Sequence, residues 1–109
     1  MNTVTIEQAY AEGAGVKVFF CDKGEKIGEA STVEFDGKPN AFLHGFEVKE
    51  KLRGKGYGTE ILKYTIKEYD VSVLYVDEKN KAINLYRRFG FKAVGRFGDH
   101  MIIMKRTEV

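Results

Sequence analysis

The sequence predicts an α/β (α+β) fold, a single mixed and mainly antiparallel sheet with two principal helices. The first half of the chain alternates short apolar stretches with turn residues, whereas the second half contains two segments with helical periodicity. A glycine-rich turn separates the two halves. The chain has 109 residues, of which 43% are hydrophobic, and this is enough for one ordinary globular domain. We therefore expect a single domain over residues 1–109.

Four short strands are predicted in the first half of the chain, at roughly residues 3–10, 16–21, 26–35 and 41–48. Clusters of turn-forming residues separate them at Ala11–Gly15, Asp22–Glu25 and Asp36–Asn40. Such short loops favour antiparallel pairing, because a parallel crossover needs about a dozen or more connecting residues. We expect Cys21 to be a small buried strand residue rather than a nucleophile.

After the strand at residues 41–48, the second half predicts a helix and a strand, followed by a second helix and a hairpin. In the first helix, Tyr57–Tyr69, one face carries the apolar residues Ile61, Leu62, Thr65, Ile66 and Tyr69. The next strand is predicted over residues 71–76, so the crossover implies one parallel pair in the sheet. The second helix has its apolar stripe at Ala82, Ile83, Tyr86 and Phe89, and Gly90 ends it. The closing hairpin is predicted over residues 91–94 and 100–105, with a turn at 95–99.

The turn Arg53–Gly58 is the best indicator of function in this chain. Its three glycines let the backbone turn sharply and come close to a ligand. The N–H groups that open the next helix have no intrahelical partners and lie at the positive end of the helix dipole, so they attract phosphate. Further positive charge surrounds the turn at Lys49, Lys51, Arg53 and Lys55. The loop therefore predicts a ligand that contains a nucleotide pyrophosphate.

Other phosphate-binding or anionic partners fit the sequence less well. A Walker-type loop requires Ser or Thr after Gly-Lys, whereas Lys55 is followed by Gly56. The dinucleotide fingerprint requires the order Gly-x-Gly-x-x-Gly, which this loop does not show. Eighteen Lys and Arg against sixteen Asp and Glu leave a net charge of only +2, and Glu50 and Glu60 interrupt the local basic patch. We therefore expect no nucleic-acid partner.

Cysteine and histidine content bears on compartment and on metal binding. Cys21 is the only cysteine in the sequence, so no intrachain disulfide can form, and a reducing cytoplasm is the expected location. The sequence shows neither a secretory leader pattern nor about 18 consecutive apolar residues, so we expect no membrane partner. His44 and His100 do not have the spacing of metal ligands, so no metal is expected.

Two motifs together resemble the GNAT family of N-acetyltransferases. The first is Arg53-x-x-Gly56-x-Gly58 after a strand, and the second is Asn80-x-Ala82-x-x-x-Tyr86-x-x-x-Gly90-Phe91 after the following strand. The resemblance covers about residues 41–105. It implies the acyl-CoA N-acyltransferase fold and transfer of an acetyl group from acetyl-coenzyme A to a small-molecule, peptide or protein amine by direct attack in a ternary complex. It also implies that the glycine-rich loop binds the coenzyme pyrophosphate through Arg53, Gly54, Lys55, Gly56, Tyr57, Gly58 and Thr59.

The resemblance places the reacting groups in a wedge between the strands at residues 41–48 and 71–76. Main-chain groups of Phe46, Glu47 and Val48 would bind the pantetheine arm and supply the donors that stabilise the oxyanion of acyl transfer. The side chains of Phe46 and Val48 would at the same time pack in the core, which is compatible with a role of the backbone.

Tyr86 and Asn80 also match positions of the family motif. Tyr86 would protonate the departing thiolate, or it is only an aromatic residue on the buried stripe of its helix. Asn80 would contact the coenzyme arm, cap the second helix, or do both. The sequence identifies no clear general base. His44 and Glu47 are the candidates, and strand alternation allows only one of the two to face the cleft.

The interval between the first and second strands departs from the family pattern. Family members usually have two helices there, whereas this chain has only Ala11–Gly15. The departure predicts a wide acceptor groove suited to a peptide or protein amine, or a groove completed by a second subunit in a homodimer. It also leaves open a second interpretation, a non-catalytic module that binds or senses acetyl-coenzyme A or coenzyme A.

Overall fold

The computed structural model describes the backbone of residues 3–10 and all atoms of residues 15–106. Its strands are β1 (Thr3–Tyr10), β2 (Gly15–Asp22), β3 (Glu25–Phe35), β4 (Lys38–Val48), β5 (Val73–Asp77), β6 (Phe91–Phe97) and β7 (Met101–Arg106). Its helices are α1 (Tyr57–Tyr69) and α2 (Ala82–Arg88), with a short 3₁₀ helix at Glu50–Leu52. The strands form one seven-stranded sheet in the order β1-β2-β3-β4-β5-β7-β6.

The pairing of the strands confirms the predicted fold class. Neighbouring strands are antiparallel throughout the described sheet except for β4 and β5, which are parallel. Helix α1 connects these two strands, as the strand-helix-strand pattern predicted. Gly90 follows α2 with a φ of +92°, the left-handed conformation that ends helices, so the predicted stop is also confirmed.

Three predicted boundaries are wrong, one because of a local backbone conformation and two because strand pairing extends further than local preference indicates. The strand predicted from residue 71 begins at Val73, since Asp70 takes a left-handed conformation at the end of α1. Gly95 is not in a turn but in β6, opposite Ile103 at a register shift, and the turn comes later, at Gly98. The turn predicted over Asp36–Asn40 is shorter, because β4 already begins at Lys38.

The core lies between the sheet and the helices. Ile61 and Leu62 of α1 are fully buried, and burial of an aliphatic side chain of this size stabilises a fold by about 1.5–3 kcal/mol. Ile66 and Tyr69, at the edges of the same face, are half-buried. Cys21 is half-buried rather than buried, so that expectation is wrong. A register shift between Phe20 and Cys21 interrupts the alternation of side chains at this point.

The other face of the sheet exposes aromatic side chains. Tyr75 lies between Leu74 and Val76 of the core, so by strand alternation its ring is on the opposite face, where it is 43% exposed. Its ring centroid lies 4.8 Å from that of Phe42 and 4.8 Å from that of Phe97. Neither α1 nor α2 is long and apolar enough to cross a membrane.

The first two strands are joined by a short connection. Tyr10 pairs with Gly15 in the antiparallel β1–β2 ladder, so an interval of four residues separates the strands. The turn predicted at Ala11–Gly15 therefore lies outside the described residues except for Gly15, which begins β2. Four residues are too few for the two helices that the family pattern has at this place.

Candidate functional site

A wedge opens between the two parallel strands of the sheet. Strands β4 and β5 pair only at Phe42 with Val73 and at Leu43 with Leu74. Beyond this point the edge of β4 that faces β5 has no strand partner, so main-chain groups there are available to a ligand. Two cavities meet at the wedge, one on the side of the glycine-rich loop and one on the side of the exposed aromatic residues. We call the first the donor cavity and the second the acceptor cavity, after the acetyl donor and the amine acceptor that the sequence predicts.

The donor cavity has a volume of about 710 Å³, within the range of small-molecule sites. It brings together parts of β4, the loop and α2 that are far apart in the sequence, including Phe46, Arg53, Gly54, Gly58, Asn80 and Tyr86. The lining residues that the sequence did not single out are Asp77 at the end of β5, Lys79, Lys81 and Leu85. The position of Asp77 at the carboxyl end of a parallel strand was a usable signal, because ligands bind at such ends.

The glycine-rich loop has the conformation and the free donors that an anion needs. Gly54 and Gly56 have φ values of +81° and +86°, and a Cβ on either would meet no atom within 4 Å, so glycine is needed here for backbone conformation. No side chain caps α1, and its first bond runs from the Glu60 N–H to the Gly56 carbonyl at 3.3 Å. Within the described chain, the N–H groups of Tyr57 and Gly58 have no hydrogen-bond partner. This arrangement fits a pyrophosphate.

Gly58 has a different role from the two loop glycines. A Cβ at Gly58 would lie 3.4 Å from Leu85 Cδ2, 3.6 Å from Phe46 Cζ and 3.7 Å from Val48 Cγ2. These are ordinary van der Waals distances, so a methyl group would fit here, whereas a larger side chain would crowd α2 and β4. Gly58 therefore lies where the start of α1 meets the wall of the donor cavity.

The other predicted loop residues differ in what their side chains do. Arg53 Nε donates a hydrogen bond to the Val48 carbonyl at 3.0 Å, and the remaining guanidinium N–H groups are available to a phosphate. Lys55 is exposed, and neither Lys55 nor Thr59 lines the donor cavity. The Tyr57 hydroxyl donates to Asp22 Oδ2 at 2.9 Å, and this bond raises the pKa of Tyr57. The side chain of Tyr57 thus faces away from the cavity, and only its main chain contributes to the free N–H groups at the start of α1.

Tyr86 lies on the buried stripe of α2 and at the wedge. Its side chain is only 6% exposed, and its ring lies 5.9 Å from that of Phe46 and 6.1 Å from that of Phe91. Burial raises the pKa of Tyr86 to about 12, so the phenol keeps its proton at neutral pH. It lines both cavities, and no described residue forms a hydrogen bond with its hydroxyl. A protonated phenol therefore lies at the junction of the two cavities.

The pKa of Tyr86 predicts a loss of stability at alkaline pH. The exposed phenol of the unfolded chain ionises at about pH 10. The folded protein holds the proton of Tyr86 more tightly than the unfolded chain does, so the protonated phenol favours the folded state. This stabilising contribution is complete below about pH 10 and is lost as the pH rises toward the folded pKa of about 12. Between pH 9 and 11, the free energy of unfolding of the wild type should fall by about 1 kcal/mol more than that of Tyr86→Phe. Urea denaturation measures both, and equal falls would contradict the assignment.

Asn80 lies just before the second helix and also lines the wedge. Its Oδ1 accepts a hydrogen bond from the Ala82 N–H at 2.8 Å, and its carbonyl accepts one from the Ile83 N–H at 3.2 Å. The N-cap residue itself is Lys81, which has no capping side chain, so Asn80 forms an Asx turn with the first N–H of α2 from one residue before the predicted role requires. Asn80 lines both cavities, which leaves it beside the predicted path of the coenzyme arm.

The acceptor cavity has a volume of about 410 Å³, and His44, Glu47, Asp77 and Tyr86 line it. Gly45 pairs with Ser31 while Leu43 pairs with Thr32, so His44 is an extra residue in β4, a β-bulge. The bulge shifts the alternation of β4, and both His44 and Glu47 line the cavity. The expectation that only one of them faces the cleft is therefore wrong.

The charge beside the acceptor cavity is partly compensated. Glu29 lies directly opposite Glu47 in the β3–β4 ladder. Lys26 and Lys17 contact the carboxylate of Glu29 at 2.9 and 3.1 Å and lower its pKa.

Across residues 15–106, no group of three or more His, Cys, Asp or Glu side chains is arranged to hold a metal ion.

Comparisons with known proteins agree with this geometry. The sequence profile described as "Acetyltransferase (GNAT) family" matches residues 3–91. A search of curated protein sequences finds no match. Among solved structures, the ribosomal-protein-S18-alanine N-acetyltransferase of Escherichia coli superposes with a TM-score of 0.73 at 24% identity, covering 90% of this chain and 71% of that one.

Two further structures show the same likeness. An acetyltransferase from Thermus thermophilus has a TM-score of 0.73 at 21% identity, over 88% of this chain and 66% of that one. The PaiA N-acetyltransferase of Thermoplasma acidophilum, solved in complex with coenzyme A, has a TM-score of 0.68 at 21% identity, over 85% of this chain and 61% of that one. The chain thus spans 61–71% of the length of these three proteins, and at this identity the likeness shows a shared fold.

Proposed function

Since the chain belongs to the GNAT family of acetyltransferases, we propose that it is an N-acetyltransferase that moves an acetyl group from acetyl-coenzyme A to a primary amine. The observation that carries the proposal is the wedge, where Gly58 with its unpaired N–H at the start of α1, the free edge of β4 and the Tyr86 phenol all line one cavity of about 710 Å³. The coenzyme A bound to the Thermoplasma acidophilum neighbour supports an acyl-coenzyme A as the donor.

The donor cavity and the adjoining glycine-rich loop together have a suitable group for each part of acetyl-coenzyme A. Gly54, Gly56 and the first N–H groups of α1 would hold the pyrophosphate, and Arg53 would add a positive charge beside it. Asn80 would contact the pantetheine arm where it enters the wedge. Main-chain groups over residues 46–48 would bind the thioester carbonyl, because β5 leaves that edge of β4 unpaired.

The proposed reaction is direct attack within a ternary complex. The amine nitrogen forms a bond to the thioester carbon, the carbon–sulfur bond breaks, and Tyr86 gives its proton to the leaving sulfur. The phenol is protonated before this step, because burial raises the pKa of Tyr86 to about 12. The amine must lose a proton during the same reaction, and His44 and Glu47 are the candidate bases because both line the acceptor cavity.

The acceptor is proposed to be a small-molecule, peptide or protein amine. One structural neighbour is named for acetylation of an alanine of a ribosomal protein, and the short β1–β2 connection leaves the acceptor side of this chain without the two helices of the family pattern. Both points favour an acceptor larger than a simple amine. A homodimer that completes this side remains a prediction, as does the cytoplasmic location.

A single assay tests the proposed function. We expect purified protein to release free thiol from acetyl-coenzyme A when small amines, polyamines and peptides with free N-termini are offered in parallel, above the rate without acceptor. Calorimetry on the same preparation measures coenzyme binding. Coenzyme binding without thiol release across the panel would instead support the binding or sensing module, an interpretation that the missing helices favour. No binding and no release would reject both.

The same assay separates the two candidate bases. His44→Gln and Glu47→Gln each remove one titratable group from the acceptor cavity. The base is the residue whose replacement lowers kcat/KM most strongly near neutral pH and removes the acidic limb of the pH profile. An unchanged acidic limb in both variants would exclude both residues.

A further inference from the structure

On the premise of the proposed function, we propose that Asp22 and Tyr57 form a brace that sets the position of the pyrophosphate-binding end of α1. Tyr57 is then a positioning residue for the acyl donor, and its side chain does not bind the donor. The brace joins the end of β2 to the first residue of α1, which are 35 positions apart in the sequence, through the hydrogen bond from the Tyr57 hydroxyl to Asp22 Oδ2 at 2.9 Å.

The loop between Arg53 and Tyr57 needs support at both ends. Gly54 and Gly56 adopt left-handed conformations, and neither glycine contributes a side chain that could anchor the loop. At the N-terminal end of the loop, Arg53 Nε donates a hydrogen bond to the Val48 carbonyl at 3.0 Å. At the exit, Tyr57 packs its ring against the core and places its hydroxyl on Asp22. The main-chain N–H of Tyr57 itself belongs to the phosphate-binding end, so a shift of the ring would move a donor of the site.

The surroundings of Asp22 show that this carboxylate depends on Tyr57. Its Oδ1 is buried and has no hydrogen-bond partner within the described chain, and Oδ2 accepts the bond from Tyr57. Buried polar atoms are rarely left unpaired, so a carboxylate in this place calls for an explanation. Holding the first residue of α1 is a role that this geometry performs.

The β2–β3 hairpin makes two further contacts with the same segment. The Lys49 N–H donates to the Ile27 carbonyl at 2.8 Å, and Lys51 Nζ lies 3.3 Å from Glu25 Oε1. The Lys51–Glu25 pair is exposed and contributes little. The Tyr57–Asp22 bond is partly buried and charge-assisted, and it is therefore the contact that matters most at the exit of the loop.

The brace lies apart from the reacting groups. Neither Asp22 nor Tyr57 lines the donor or the acceptor cavity, whereas Tyr86 lines both. Loss of the brace should therefore weaken binding of the pyrophosphate and leave the rate of the acyl-transfer step unchanged. A donor that lacks the pyrophosphate should not depend on the brace at all.

The test compares two donors in wild type and in Tyr57→Phe, with an amine that the thiol-release assay has shown to be an acceptor. With acetyl-coenzyme A, we expect KM to rise about tenfold in the variant with kcat nearly unchanged, because one charge-assisted hydrogen bond is lost. With acetyl-pantetheine, which ends before the pyrophosphate, we expect kcat/KM to be the same in both proteins. An equal loss with both donors would indicate a general structural defect and would overturn the proposal, as would an unchanged KM for acetyl-coenzyme A.

Matched variants make the result specific. Tyr64→Phe removes a phenol hydroxyl from the same helix, where the ring packs on Phe20 with a centroid distance of 5.5 Å, and should leave KM for acetyl-coenzyme A unchanged. Asp22→Ala should raise KM as much as Tyr57→Phe, whereas Asp22→Asn keeps an acceptor oxygen without the charge and should raise KM less than Asp22→Ala. An Asp22→Ala protein with wild-type KM would contradict the brace. If the wild type releases no thiol from either donor, the proposed function itself has failed, which is a different outcome.

Discussion

Replacing Tyr86 with phenylalanine is expected to lower kcat by about 10²- to 10⁴-fold, the usual cost of losing a positioned acid, while affinity for acetyl-coenzyme A stays close to that of the wild type. The phenol is 6% exposed, keeps its proton because burial raises its pKa to about 12, and lies where the two cavities meet. Phenylalanine preserves the ring contacts with Phe46 and Phe91, so the core should remain packed.

Steady-state thiol release gives kcat for this comparison, and calorimetry gives the affinity. Tyr64→Phe is the matched control, since it removes a hydroxyl of the same kind from α1, and it should turn over like the wild type. Wild-type kcat in Tyr86→Phe would show that this residue serves the core alone. A parallel loss of thermal stability and affinity would indicate that the substitution damaged the fold.

A glutamate at position 56 is expected to abolish measurable coenzyme binding, with an affinity loss of at least about 100-fold, because a like charge beside a pyrophosphate costs several kcal/mol. Gly56 has a φ of +86°, so any side chain there is strained as well. The carboxylate would project from the residue that precedes the free N–H groups of α1. Calorimetry with acetyl-coenzyme A measures the loss.

Gly37→Glu is the matched control for this experiment. Gly37 has a φ of +80°, and a Cβ added there, as at Gly56, would meet no atom within 4 Å, so the backbone strain and the added charge are nearly the same. It lies in the turn between β3 and β4 and does not line the donor cavity. We expect Gly37→Glu to bind acetyl-coenzyme A like the wild type. Equal affinities of Gly56→Glu and Gly37→Glu for acetyl-coenzyme A would show that this loop does not bind the pyrophosphate.

The glycine-rich loop shows how much of the candidate site can be predicted from local residue patterns. Glycines at positions 54 and 56 indicated left-handed backbone, and the amphipathic pattern from residue 57 indicated a helix whose first N–H groups are free, and both are observed. These features depend on the residue itself and its near neighbours, which is why local reasoning predicts them. The side-chain partner of Tyr57 was not predicted, because Asp22 comes from a strand 35 residues earlier in the chain.

Strand β4 shows the opposite case. Regular alternation predicted that His44 and Glu47 face different sides, yet a bulge at His44 lets both line the acceptor cavity. A bulge arises from the register between two strands and has no reliable local pattern. The same holds for Gly95, whose turn preference yields to the pairing of β6 with β7.

The sequence alone determined the fold class, the order of the elements, the conformation of the glycine-rich loop and the stripe of α2 that carries Tyr86, because each of these follows from periodicity and backbone preference over a few adjacent residues. Only the tertiary structure decided how far β4 and β5 stay paired, which side chains enter the two cavities and what holds the start of α1. Those outcomes depend on register and packing between segments that are distant in the chain, where many arrangements satisfy the same local pattern.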